Sequence, residues 1–213
     1  MIPRVHPELA HEARRLLDRY LIEAVEAFGL CPWAASARRR GEVRVEIVDL
    51  DDADAAVDRI ADDHTAAIGM VVFANHDLSV TALRRGRDAQ LARRRDVAIA
   101  DFHPDAVADL SSPARLVPFL RRSPDPMLQV VRHQVLADAR RAAAPPDRAV
   151  QAAMLAGHAA PAPPPLSDQI ARNNLATVVA GGGALAAVLD YIRRDREATY
   201  SRLTRGSRPA AGR

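Results

Sequence analysis

Between residues 6 and 30, apolar side chains return every three or four positions: Leu9, Ala13, Leu16, Leu17, Tyr20, Leu21, Ala24, Val25 and Phe28, with charges between them. That spacing lays one apolar stripe along a helix, and Gly29 is placed to end it. Leu30-Cys31-Pro32-Trp33 follows as a turn. Residues 43–48 alternate apolar and polar, the pattern of a strand buried on one face. An acidic, alanine-rich helix is predicted over about 52–63. Residues 67–74 are an unbroken apolar run, as in a strand covered on both faces. A polar helix to about Arg94, a third strand over 96–102 and a short helix after Pro113 complete this half.

The run from Leu120 to His133 holds two arginines, helix-start residues and a histidine. Ser123 suits an N-cap and Pro124 the first helical position, so an amphipathic helix carrying Met127, Leu128, Val131, Val135 and Leu136 is predicted to about residue 143. Residues 144–165 are rich in alanine and proline and read as an insertion or linker with room for one short helix. Helix resumes at Leu166, pauses at Gly181-Gly182-Gly183 and continues through Tyr191; a disordered tail is predicted over 205–213. Strands separated by helices predict an α/β or α+β domain over 1–143, with a small, mostly parallel sheet of three to four strands flanked by helices. Residues 166–204 are then a C-terminal helical extension packed on it.

Composition narrows the chemistry. All 30 basic residues are arginine, as a GC-rich genome would supply. Without lysine, neither a pyridoxal-phosphate Schiff base nor a P-loop nucleotide site can form. The 27 acidic residues are interspersed, and neither Arg38-Arg39-Arg40 nor Arg93-Arg94-Arg95 lies beside an aromatic, so no nucleic acid partner is expected. A single cysteine rules out an internal disulfide or a multi-cysteine metal site. There is no apolar signal core near the start and no bilayer-length apolar run, so the expectation is a cytoplasmic protein without membrane contact, with oligomerisation left open.

Several residues could carry chemistry. Cys31, before a proline in a turn, could be a nucleophile, a redox thiol or a haem-iron ligand, or could simply pack against Trp33. His76 and His103 each follow a predicted strand with carboxylates nearby (Asp77; Asp101 and Asp105), which suits acid–base work or metal binding. A third ligand would come from His133, Cys31 or an aspartate. Strand-end histidines that merely cap loops are the plain alternative. Arg122, just ahead of the predicted helix start at Ser123, would hold a substrate carboxylate or phosphate. Arg132 and Gln129, three apart on that helix, could clamp a planar anion or serve structure. Asn173 and Asn174 lie inside a helix, where a contact with the main domain would explain them. His6, His11, His64 and His158 read as surface residues.

Gly29-Leu30-Cys31-Pro32-Trp33-Ala34, Phe102-His103-Pro104-Asp105, Arg122-Ser123-Pro124-Asp125-Pro126-Met127-Leu128 and Asn174-Leu175-Ala176-Thr177 stand in the order of motifs of a bacterial family called domain of unknown function 1415, and the chain resembles that family from about Leu16 to Val178. His76 falls on a family histidine. Gln129 stands where the family has a histidine, His133 where it has a glutamate, and Asn173 where it has an arginine. The resemblance implies no activity, but it gathers Cys31, His103 and Arg122 into its motifs. Together these readings predict a small enzyme acting on a small anionic metabolite, with haem or a transition metal as possible cofactor. Arg122, Ser123, Arg132 and Asn174 would bind substrate; Cys31, His76 and His103 would do the chemistry; Cys31, His103 and His133 would hold a cofactor. The alternatives are a non-catalytic haem- or metal-binding accessory protein and an interaction scaffold tethered by residues 144–165.

Overall fold

The structure, a computed structural model, describes residues 5–74, 77–107, 109, 111–142, 166–181 and 183–206. The first helix forms as α1 (Pro7–Arg19) and runs on into a π-helical segment, Tyr20–Glu26. There the Ala27 N–H reaches back to the Ile22 carbonyl and the Leu30 N–H to that of Val25. Gly29 then adopts a φ of +61°, open to glycine because it has no Cβ, and turns the chain out of the helix. There follow α2 (Ala34–Arg39), β1 (Val43–Ile47), α3 (Ala53–Asp62), β2 (Ile68–Val72), α4 (Val80–Arg93), β3 (Val97–Phe102), α5 (Pro113–Leu120), β4 (Met127–Arg132), α6 (His133–Ala142), α7 (Leu166–Ala180) and α8 (Ala184–Gly206).

The four strands form one sheet in the order β1-β2-β4-β3, giving an α+β fold with a C-terminal helical extension. β1 pairs with β2 in parallel, but β4 lies between β2 and β3 and runs antiparallel to both. The sheet is therefore mixed, which corrects the expectation of a mostly parallel one. The cause lies in α5: it brings the chain back to the end of the sheet where β3 stopped, and the His103 N–H bonds the Arg121 carbonyl there. The next strand can only run back the other way.

A second correction concerns β4 itself. The helix predicted from Ser123 does not start there; Met127–Arg132 is a strand and helix begins only at His133. A short apolar run cannot be assigned by periodicity alone. Here two neighbouring strands offer ladder partners, and Met-Leu-Gln-Val-Val fits between them. Met127 packs into the core on one face, Leu128 and Val130 into the core on the other. Gln129 and Arg132, three apart in a strand, consequently point to opposite faces and form no clamp. The C-terminal helix buries Leu185, Leu189, Ile192 and Tyr200 along its length and ends at Gly206, two residues into the predicted tail, the rest of which lies outside the described residues. The linker assigned to 144–165 lies outside the described residues.

One sheet face packs Met70, Val72 and Met127 against α1, its π-helical continuation, α5 and α8; the other packs Val71, Val97, Ile99, Leu128 and Val130 against α3 and α4. α3 lies so close to β2 that a Cβ on Gly69 would overlap the Ile60 side chain. Two polar clasps fix α8. Asp195 accepts from Arg15 at 2.8 Å and Arg19 at 2.5 Å on α1. At the entry to β4, Asp125 accepts from Arg196 at 2.8 Å and from the Tyr200 hydroxyl at 2.6 Å. Among the described residues, no single helix is long and apolar enough to cross a membrane.

Candidate functional site

The π-helical segment, the Cys31 turn, the sheet and the start of α7 do not close on one another, and they leave a cavity of about 430 Å³. The π-helical turn supplies Tyr20, Leu21 and Val25; a π-helical stretch is a departure from regular helix that is frequent at functional sites. The turn supplies Cys31 and Trp33, the sheet Ile68, Met70, Phe102 and Gln129, and α7 contributes Ile170 and Asn174. The wall is mostly apolar. Only eight Phe, Tyr and Trp residues occur in the chain, and Tyr20, Trp33 and Phe102 all face this space. A cavity of this size with a few converging polar groups is the usual form of a small-molecule site.

The polar groups are few and distinct. Arg38 faces the cavity but is bound by Glu26, at 2.6 and 2.9 Å. Arg121 is different. It sits at the end of α5, half-buried, with its guanidinium 5.5 Å from the centre of the Phe102 ring. Among the described residues its side chain meets no carboxylate and no hydrogen-bond acceptor; burial is the main influence on it and pulls its affinity for the proton below the ordinary arginine value. It stays a cation, since no burial of this kind neutralises a guanidinium. The nearest acidic charge, Asp101, is already held by Arg87 and, at 3.4 Å, by Arg84. Gln129 is the other unpartnered polar group. It lies in a cross-strand row, Val45-Met70-Gln129-Ala100, in which every other side chain is apolar.

Cys31 lines the same cavity as Tyr20, whose phenol is held protonated by burial and feels the Arg121 charge. Burial pushes the Cys31 thiol above its ordinary value, an effect that the nearby Trp33 and Ala34 N–H groups partly oppose; the Ala34 N–H itself bonds the Cys31 carbonyl at 3.2 Å. The thiol is therefore protonated near neutral pH. Asn174, buried, donates to the Leu30 carbonyl at 3.2 Å and ties α7 to the Cys31 turn, the domain contact predicted for it.

The remaining sequence candidates are dispersed. Arg122 turns away from the cavity: its Nε donates to the Ala106 carbonyl and its guanidinium lies 5.1 Å from the Phe119 ring. Ser123 is buried and donates to the Asp125 carbonyl, bracing the β4 entry loop instead of capping a helix. Arg132 holds the loop before β2, donating to the carbonyls of Asp63, His64 and Ala66. His103 is 4% exposed. Its Nε2–H donates to the Leu78 carbonyl, which fixes the neutral tautomer, and its Nδ1 accepts from the Asp105 N–H at 3.0 Å. Both ring nitrogens are thus engaged. His133 is exposed, its N–H on the Asp96 carbonyl at the start of β3. His103 follows the end of that six-residue strand, so the two histidines are about 20 Å apart and share no ligand. His76 lies outside the described residues. Among the described residues no histidine lines the cavity beside Cys31, and no group of three His, Cys, Asp or Glu side chains is placed to hold a metal ion.

Of the two adjacent arginines, the sequence pointed to Arg122, and the structure places Arg121 on the cavity wall. Nothing local separates Arg121 from Arg122; the choice is made by where α5 stops. Trp33 and Tyr20 entered only as packing or helix residues, and Gln129 as a helix partner of Arg132, because the cavity that gathers them is made by segments distant in the chain. No family model, curated protein or solved structure matches the chain. What the site does has to be read from its geometry.

Proposed function

We propose that the chain binds a small, mostly apolar molecule by a single anionic group, with the molecule's body in the cavity and its charge on Arg121. The observation that carries this reading is the guanidinium of Arg121, half-buried on an apolar wall with no described carboxylate to neutralise it. A cation removed from water without a partner is costly, and a bound anion would offset that cost with charge-assisted, bidentate hydrogen bonds. The expectation of a small anionic ligand is kept, with Arg121 in the place given to Arg122.

The test uses Trp33, the only tryptophan in the chain and part of the cavity wall. Titration with octanoate should change its fluorescence saturably. Octanol should bind at least about tenfold more weakly, and Arg121→Gln should bring octanoate down to the level of octanol. Saturable octanoate binding that ignores Arg121→Gln would refute the reading.

A second reading, an enzyme with Cys31 as nucleophile, is favoured by the backbone N–H groups of Trp33 and Ala34, which lie near its sulfur and act to lower its hold on the proton. Such donors would support a thiolate once the proton had left. The two readings pull apart, because an anion on Arg121 brings negative charge towards Cys31 and holds its proton on. Alkylation of Cys31 across pH, with and without octanoate, separates them.

A further inference from the structure

Resting on the reading above, we infer that the charged group this cavity selects is a monoanionic carboxylate, that a phosphate dianion is rejected, and that Gln129 is the specificity residue beside Arg121. The first ground is a charge count. Two arginines face the cavity; Arg38 is neutralised by Glu26, whose side chain is also part of the wall, which leaves one positive charge, on Arg121. A carboxylate cancels it. A dianion would leave a second negative charge in a largely apolar space, since among the described residues no third arginine lines this cavity and the nearby Arg87 is held by Asp101.

The second ground is the number of hydrogen-bond donors. Phosphate sites are built from several backbone N–H groups aimed at one point. Here the turn on the cavity wall offers little of that kind, since the Ala34 N–H is already taken by the Cys31 carbonyl at 3.2 Å. Arg121 offers a two-pronged guanidinium edge, and Gln129 an amide with no partner among the described residues. Gln129 faces Ala100 across β3, and Phe102, the ring under Arg121, lies two positions further on the same face. That separation is about 7 Å along the strand, within reach of two long side chains converging on one carboxylate. Ala100 is too small to fill the space between them. Two oxygens match this donor set; the three terminal oxygens of a phosphate exceed it. The body of the ligand then runs from Gln129 along Met70 and Ile68 towards Trp33.

The experiment compares octanoate with octyl phosphate, by calorimetry and Trp33 fluorescence, on the full chain and on Arg121→Gln and Gln129→Leu. At pH 8 the phosphate is a dianion and at pH 5 largely a monoanion, since its second proton leaves near pH 6; octanoate is fully charged at pH 8 and about half charged at pH 5, so its affinity at pH 5 is taken per mole of anion. Octanoate should bind at least about 30-fold tighter than octyl phosphate at pH 8, and that gap should narrow to about threefold or less at pH 5. Gln129→Leu should weaken octanoate about five- to tenfold while leaving octanol unchanged. Octyl phosphate binding as tightly as octanoate at pH 8, with both lost in Arg121→Gln, would overturn the monoanion rule yet leave the anion-binding reading standing. Full octanoate affinity in Gln129→Leu would remove Gln129 from the inference. Indifference of both ligands to Arg121→Gln would instead defeat the underlying reading.

Discussion

The arginines on the helical clasps and the arginine in the cavity follow opposite rules. Between α1 and α8, Arg15 and Arg19 converge on Asp195. On the α3–α4 side of the sheet, Arg59 meets Glu46, Arg93 meets Asp58, and Arg94 meets Asp58, Asp62 and Asp96. Most of these pairs are part-exposed and individually add little. Arg121 is more deeply set than most of them and has an aromatic ring and no carboxylate. In a chain with 30 arginines and 27 acidic residues, a partner was available in the composition. The fold spends Asp101, the nearest one, on Arg87 and Arg84. Of the two arginines on the cavity wall, Arg121 is the one without a carboxylate, and on the reading proposed above its partner comes from outside the chain.

The contrast is broken most severely at Asp125, which is 2% exposed and holds both Arg196 and Tyr200. Asp125→Ala would leave a largely buried cation and a buried hydroxyl without their acceptor, and about 3 kcal/mol or more of stability should be lost. Urea unfolding would measure it. A loss below about 1 kcal/mol would mean that α8 is held by apolar packing alone.

Arg121→Met should behave in the reverse manner. Removing a cation that has no partner relieves a desolvation cost, so stability should stay level or rise by about 1 kcal/mol. Octanoate affinity should nonetheless fall by about 2–3 kcal/mol, or about 30- to 150-fold. A residue that lowers binding while stabilising the fold belongs to function. If Arg121→Met unfolds the chain as Asp125→Ala does, Arg121 is one more structural arginine and the comparison fails.

The same contrast explains what could be read from the chain. Period-3.6 and period-2 patterns place α1 and β1, and the unbroken apolar run over 67–74 places β2. The reading fails at 127–132, where the apolar run is short, is broken by Gln129 and follows Ser123-Pro124, a plausible helix start. That single error turned Gln129 and Arg132 into helix neighbours and the Arg122 amide region into an anion site. Cys31 and Asn174 were both singled out, and the structure brings them to the same turn, since motifs at element ends survive local misassignment. The unpaired state of Arg121 was not legible, because it depends on Asp101 being taken by Arg87, fourteen residues away in sequence on another element.

Asp195 gives a smaller effect with a definite pH dependence. Arg15 and Arg19 hold its carboxyl down at about 2, from an ordinary 3.8. A depressed carboxylate contributes stability above its unfolded value, and that contribution fades as pH falls through the folded one. Asp195→Asn should therefore cost about 1–2 kcal/mol at pH 7, discounted for the partial exposure of the cluster. The gap between native chain and variant should be whole above about pH 5 and shrink from about pH 4 towards pH 2. Thermal unfolding of both proteins along that series measures it, and a gap that persists unchanged at pH 2 would show that charge is not what joins α1 to α8.

The smallest effect is at Cys31, and it bears on which reading of the cavity holds. Burial keeps the thiol protonated, so iodoacetamide at pH 7.5 should alkylate Cys31 a few-fold more slowly than a free thiol, with the rate climbing as pH rises. Saturating octanoate should slow it further, both by filling the cavity and by placing negative charge near the sulfur. Arg121→Met should abolish that protection at the same octanoate concentration while leaving the unprotected rate within about twofold, since the guanidinium stabilises the thiolate only weakly across a partly solvated gap. An alkylation rate above that of a free thiol at pH 7.5 would reverse the order of the two readings. The backbone N–H groups of Trp33 and Ala34 would then outweigh burial, and the cavity would be the approach to a nucleophile whose substrate is held by Arg121 at its far end.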